Sequence, residues 1–157
     1  MHIDLYERFW MWSAGAISVL FFGTIVFALV GEGTRPPSHV ETIDPKAVFT
    51  DPRFAERGVV LNADGSAMVT GIAMMFAFQP NEIHVPAGKP VTFRLTSADV
   101  VHGFEIVGTN GNTMVIPGYV SEFTTTFEPG EYLIVCNEYC GLGHHLMNAK
   151  LVAEVAP

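Results

Sequence analysis

The sequence predicts a mostly β domain, a Greek-key barrel or sandwich, preceded by one transmembrane α-helix. Three observations carry this. Residues 9–30 form an apolar run without a charge. From residue 67 onward, short runs rich in β-branched and aromatic residues recur between Pro, Gly and Asn turn signals, the pattern of a sandwich or barrel. The chain has 157 residues, enough for one domain with a real core plus an appendage.

The apolar run FWMWSAGAISVLFFGTIVFALV holds 22 residues. At ~1.5 Å per residue it extends roughly 33 Å, against about 30 Å for a hydrocarbon core. Phe9, Trp10 and Trp12 sit at one end, where aromatic rings favour the membrane interface. Ser13, Ala14, Gly15, Ala16 and Ser18 would let a second helix approach closely. A cleaved signal peptide would have a basic start and a shorter apolar stretch. The start here is MHIDLYER, with two acids and one base, so the segment is expected to be an uncleaved anchor. Arg8 and Arg35 flank the run, and charge does not set its orientation.

The expected organisation is an anchor over 1–32, a linker and irregular lead-in over 33–66, and the β domain over 67–157. GEGTRPPSHVETIDP is a Gly/Pro-rich linker. Residues 45–66 carry no clear period beyond one short helix or turn around Asp51–Glu56. VTGIAMMFAF is expected as a strand ended by Gln79-Pro80-Asn81. EIHV follows and stops at Pro86-Ala87-Gly88. PVTFRLTS places Val91, Phe93 and Leu95 on one face. GFEIV, a TNGN turn, SEFTTTF, EYLIVC and NAKLVAEV complete the set. Period two puts Met74, Phe76 and Phe78 together, as barrel core or as an apolar patch near the functional site.

Hydrophobic residues make up 49% of the chain, charged residues 15%, and the formal net charge is −8. That charge disfavours nucleic acid as a partner, and a basic protein surface is the better match. The two cysteines are too few for a disulfide framework.

Chemistry concentrates in Cys136-Asn137-Glu138-Tyr139-Cys140-Gly141-Leu142-Gly143-His144-His145-Leu146-Met147. Thiols, imidazole and thioether within twelve residues select copper, zinc or iron–sulfur chemistry over hard cations. Gly141 and Gly143 are expected to let the backbone bend so that Cys140 and His144 face one centre. His102 opens a strand upstream, in Ser97-Ala98-Asp99-Val100-Val101-His102. One thiolate, two histidines and a weak Met make a mononuclear copper site. A second thiolate allows two coppers bridged by both sulfurs. His102 and His144 then supply the imidazoles, and Met147 and a backbone carbonyl at 138 the weak ligands. A Cys136–Cys140 disulfide and a zinc site of two Cys and two His are the competing readings. His145 lies off the spacing and is expected at the surface. His84 is expected to be exposed on its strand, and His2 and His39 have no partner pattern. Asp99 either holds the loop before His102 or offers a docking charge.

The loop resembles the Cu-A loop of haem–copper oxidase subunit II, C-x-E-x-C-G-x-x-H-x-x-M, met at Cys136, Glu138, Cys140, Gly141, His144 and Met147. The family's D-V-x-H element is met at Asp99, Val100 and His102. The resemblance covers about Gly71 to Val155. It implies a cupredoxin-like Greek-key β-barrel on a membrane anchor, with the copper domain on the outer, periplasm-equivalent face. It implies a binuclear Cu-A centre held by His102, Cys136, Glu138 through its carbonyl, Cys140, His144 and Met147. It also implies a haem-containing subunit I as partner, and cytochrome c or a blue copper protein as soluble donor. The single span, NEYCGLGHHLM and ADVVHGFEIVGTN are most like the B-type branch. Glu138, between the cysteines, is as in the A-type enzymes, where its side chain also reaches a magnesium ion shared with subunit I; that point stays open. A nitric oxide reductase with a Cu-A subunit, or a copper-delivery module, are the alternatives. No Cys-x-x-Cys-His is present, so no fused c-type haem is expected.

Overall fold

In the computed structural model, residues 4–31 and 41–155 are described. The chain forms two compact units, Met1–Pro36 and Pro37–Pro157. His2 and His39, and the linker over 32–40, lie outside the described residues.

Among the described residues the first unit holds one helix, α1, Leu5–Gly31, with no buried residue. It is apolar on all sides, which suits lipid rather than water. Its 27 residues extend about 40 Å, beyond the hydrocarbon thickness. Two of its hydroxyls bond within the helix, Ser18 Oγ to the Ala14 carbonyl at 2.8 Å and Thr24 Oγ1 to the Phe21 carbonyl at 2.7 Å. That removes the penalty of carrying an unpaired hydroxyl into hydrocarbon.

The second unit is a sandwich of two five-stranded sheets. The strands are β1 Gly58–Leu61, β2 Ala67–Met74, β3 Ala77–Gln79, β4 Glu82–Pro86, β5 Val91–Ser97, β6 His102–Ile106, β7 Asn112–Val115, β8 Ser121–Thr125, β9 Gly130–Val135 and β10 Asn148–Glu154. One sheet runs β1-β2-β5-β8, with β3 also on β2; the other runs β4-β10-β9-β6-β7. β2 with β5 and β4 with β10 are parallel pairs. Alternation sets the inner faces: Val91, Phe93 and Leu95 from β5 and Ala149, Leu151 and Ala153 from β10 are all buried, as period two requires. Aromatic rings fill the centre. Phe93 stacks on Phe123 with centroids 4.9 Å apart, and Phe78 meets Phe104 edge-on at 5.3 Å, the arrangements ring quadrupoles favour.

Three elements differ from the sequence reading. The run over 69–78 is two strands, β2 and β3, joined at Met75–Phe76, with Met74 opposite Ala77. The turn breaks the period, so Met74, Phe76 and Phe78 do not share a face. Phe78 is buried in the main core, Met74 packs against a second cluster, and Phe76 is part-exposed. β1 and β7 carry no alternation strong enough to mark them in advance; β1 is held by pairing Gly58–Leu61 along Ala67–Thr70.

The lead-in that lacked a period is folded. Ile43, Val48 and Phe54 bury with Ile72 and Val120 in a second core. The short helix α2, Pro52–Ala55, starts at Asp51, whose side chain accepts from the Arg53 N–H, the usual N-cap bond. Glu41 then bridges Arg53, at 2.6 Å, and Arg94 of β5, at 2.5 Å. The segment is thereby tied to the sheet by both apolar burial and charge.

His84 is exposed, as expected, but not idle. Its ring nitrogens lie 2.8 Å from Glu154 and 3.3 Å from Glu82. The Glu154 hydrogen bond raises its pKa most, burial opposes the rise, and the Glu82 contact adds to it. A raised His pKa adds stability that is fully present below the unfolded value of 6.5 and is lost as pH rises through the folded one. The melting-temperature advantage of the native chain over His84→Gln should therefore be largest below pH 6.5 and fade as pH rises above it. A difference that grows with pH would contradict this.

Candidate metal centre

The ligand loop begins where β9 ends. The Cys136 N–H donates to the Met147 carbonyl at 3.2 Å, closing the loop at its base. Inside it, His144 N–H bonds the Gly141 carbonyl, Leu146 N–H the Gly143 carbonyl and Met147 N–H the His144 carbonyl. These form a single 3-10 turn over His144–Leu146. Gly141 has a φ of 130°, which side-chain-bearing residues avoid. Gly143 has an ordinary φ of −91°, so the expected reason for it is corrected. What it provides is room: a Cβ there would overlap the Phe76 ring.

His102, Cys136, Cys140 and Met147 are all buried. The cysteines are free thiols with sulfurs 3.8 Å apart, so the disulfide reading falls. Cys136 Sγ lies 3.9 Å from His102 Nδ1 and 3.1 Å from the Glu138 carbonyl. Cys140 Sγ lies 3.7 Å from His144 Nδ1 and 3.7 Å from Met147 Sδ. Donors bound tetrahedrally at metal–ligand distances of about 2.0–2.3 Å stand about 3.3–3.8 Å from each other. The three separations around Cys140 fall within that range, and the two from Cys136 to His102 and to the Glu138 carbonyl lie just outside it. The ligand atoms of His102, Cys136 and Cys140 lie within 4.8 Å of one another. The Glu138 and His145 side chains are exposed.

Asp99 resolves its two readings in favour of holding. Its carboxylate accepts from His102 Nε2 at 2.8 Å, from the Val100 N–H at 2.7 Å and from the Met75 N–H at 2.7 Å. With the His102 proton on Nε2, the Nδ1 lone pair faces Cys136, the arrangement that metal-bound imidazoles favour. Burial works against the Asp99 charge, but the His102, Met75 and Val100 hydrogen bonds hold its carboxyl below the usual value. Cys140 is pushed up to about 11, by burial first and then by the neighbouring Cys136 thiol. Metal binding there must release a proton.

Two close approaches were not foreseen. A Cβ on Gly103 would overlap Asn137 Oδ1 and come within 2.8 Å of the Glu138 nitrogen. Gly103 thus lets the loop lie directly on β6, next to His102. The Phe76 ring lies on Gly141 and Gly143. The available signal was the glycines themselves, one beside a ligand and two within the loop.

Two buried thiols, two imidazoles and a thioether on a β-sandwich form a donor set for a soft or borderline metal ion. Residues 60–153 match the Cupredoxin-like domain family. A cytochrome c oxidase subunit 2 of Thermus thermophilus is 39% identical over 154 residues, covering 95% of this chain and 92% of the relative. A second Thermus thermophilus cytochrome c oxidase subunit 2 is 42% identical over 78% of this chain and 93% of its own length. A chain from the cryo-EM structure of a heme-copper terminal oxidase dimer superposes with a TM-score of 0.78 at 35% identity, covering 95% of this chain and 99% of that one. The chain belongs to the cytochrome c oxidase subunit 2 family, whose members are components of membrane oxidoreductase complexes.

Replacing Asp99 by Ala should weaken copper binding roughly 10–100-fold, the usual effect of removing a partner that orients a metal-bound imidazole. Competition against a copper chelator measures this. Native affinity in the variant would mean that other contacts hold His102.

Proposed function

We propose that His102, Cys136, Cys140, His144, Met147 and the Glu138 carbonyl hold a pair of copper ions, and that the chain is the electron-input subunit of a terminal haem–copper oxidase of the B-type branch. An electron arrives from a soluble cytochrome c or blue copper protein and leaves for haem in subunit I, where oxygen is reduced to water. The carrying observation is the spacing of the two free thiols, with an imidazole nitrogen near each sulfur and Met147 Sδ beside Cys140.

Bound there, a copper pair supplies a one-electron redox step shared over two metals. The chain's part is to fix the donors. Asp99 sets the His102 tautomer, and the loop hydrogen bonds set His144 and Met147. Burial keeps water from the sulfurs. Ligands held in place move little between oxidation states, which favours fast transfer.

Exposed Met75, Phe76, Leu142 and Leu146 surround the loop and suit a donor with an apolar rim. The exposed Glu138 carboxylate is the group that would reach a magnesium ion at the subunit I interface. The organisation we propose is a single-pass anchor over 1–32 in the cell membrane and the copper domain over 67–157 on the outer face, with the folded part of the 33–66 lead-in packed into that same domain.

Metal analysis and electron paramagnetic resonance of the purified chain test the centre. The expected result is two coppers per chain, with one unpaired electron shared over both nuclei. One copper, or zinc, would overturn the reading.

A further inference from the structure

We propose that Phe76 is a positioning residue for the metal centre: its ring braces the Gly141–Gly143 segment of the ligand loop, while the adjoining Met75 backbone is bonded to the carboxylate that holds His102. One dipeptide turn therefore couples the two separate stretches of chain that carry the ligands. This rests on the copper reading of Cys140, His144 and Met147.

The turn lies between the end of β2 at Met74 and the start of β3 at Ala77. A Cβ at Gly141 would stand 3.1 and 3.2 Å from Phe76 Cε1 and Cζ. One at Gly143 would overlap the same ring and lie 2.6 Å from Cγ. Two glycines thus give their side-chain space to a single ring. Phe76 belongs to neither apolar core, and its outer surface is exposed. Its packing is spent on the loop.

The loop needs such a brace. Its internal hydrogen bonds are local, closing over three or fewer residues between Gly141 and Met147, and its glycines make the backbone costly to order. On the other side, the Met75 N–H donates to Asp99 Oδ2 at 2.7 Å, and Asp99 Oδ1 accepts from His102 Nε2 at 2.8 Å. Moving the turn would disturb His102 through Asp99 and Cys140–Met147 through the ring. A shared support of this kind keeps first ligands within a narrow geometry.

The test uses the full chain, native and with Phe76→Ala, Phe76→Leu or Phe127→Leu. Phe127 precedes β9 at the end remote from Cys136 and is a core ring, so its variant loses stability without touching the loop. In metal-free protein, Phe76→Ala should raise the rate of Cys140 modification by a small thiol reagent about tenfold or more, through local opening of the loop. Phe76→Leu should largely restore the native rate, and Phe127→Leu should leave it unchanged. After copper loading, Phe76→Ala should alter the copper hyperfine pattern and the reduction potential, and Phe127→Leu should not. If Phe76→Ala does not fold, Gly143→Ala, which forces the ring off the loop, must produce the same rise. Native rates and spectra in the Phe76 or Gly143 variant, or an equal rise in Phe127→Leu, would overturn the inference. Failure of the native chain to take up two coppers would instead sink the copper reading, while the metal-free rates would still decide what Phe76 does to the loop.

Discussion

Cys140→Ser should leave one copper per chain in place of two and abolish the shared-spin spectrum. Cys140 Sγ stands beside three other donors, at 3.8 Å from Cys136 Sγ, 3.7 Å from His144 Nδ1 and 3.7 Å from Met147 Sδ. A serine hydroxyl is hard, stays protonated and does not bridge soft metals. Electron delivery to the haem should fall by more than the roughly 10–100-fold that outer contacts of a metal site contribute. The fold should survive, because the side chains are close in size and one buried hydroxyl costs about 1–3 kcal/mol. Copper content, spin spectrum and single-turnover haem reduction measure the three parts. Two coppers and a native transfer rate in the variant would refute the bridging role.

Gly103→Ala should be nearly as damaging, although a methyl group carries no chemistry. The added carbon would overlap Asn137 Oδ1 and crowd the Glu138 nitrogen. Asn137 is also tied to Asn112 by a hydrogen bond at 3.2 Å, so moving it breaks that contact. The backbone at Glu138 would have to lift from β6, taking its carbonyl away from Cys136 Sγ, now 3.1 Å off. Overpacking of this kind costs about 1–3 kcal/mol in stability. Chemical denaturation should show that loss, and the copper spectrum should change even in the folded fraction. A folded variant with native copper content and spectrum would mean that the carbonyl position does not matter.

The metal centre was legible because its donors are nearly contiguous. Five of the six proposed ligands fall between Cys136 and Met147, and His102 stands in a recognisable local context. The supports were not legible, because they act from a distance. Asp99 could have been a docking charge until its three hydrogen bonds were seen. Phe76 read as one of three alternating residues, in the barrel core or in an apolar patch near the site, since MFAF holds no turn former to betray the hairpin. The lead-in was unreadable for a different reason. Ile43, Val48 and Phe54 are too widely spaced for any period, and they become a core only with Ile72 and Val120 from other elements. Strands buried on one face, such as β5 and β10, were plain from alternation alone.

The placement of β10 has a consequence for biogenesis. This strand is the last of the ten to leave the ribosome, yet it lies inside its sheet, between β4 and β9. Its parallel partner spans Glu82–Pro86, far back in the chain, and pairings of such long sequence separation form late. The Cys136 N–H bond to the Met147 carbonyl closes at the same stage. During synthesis both thiols are therefore outside any finished scaffold and open to oxidation. If the domain folds in an oxidising compartment, a reductant or a metal carrier at hand in that interval would protect the pair.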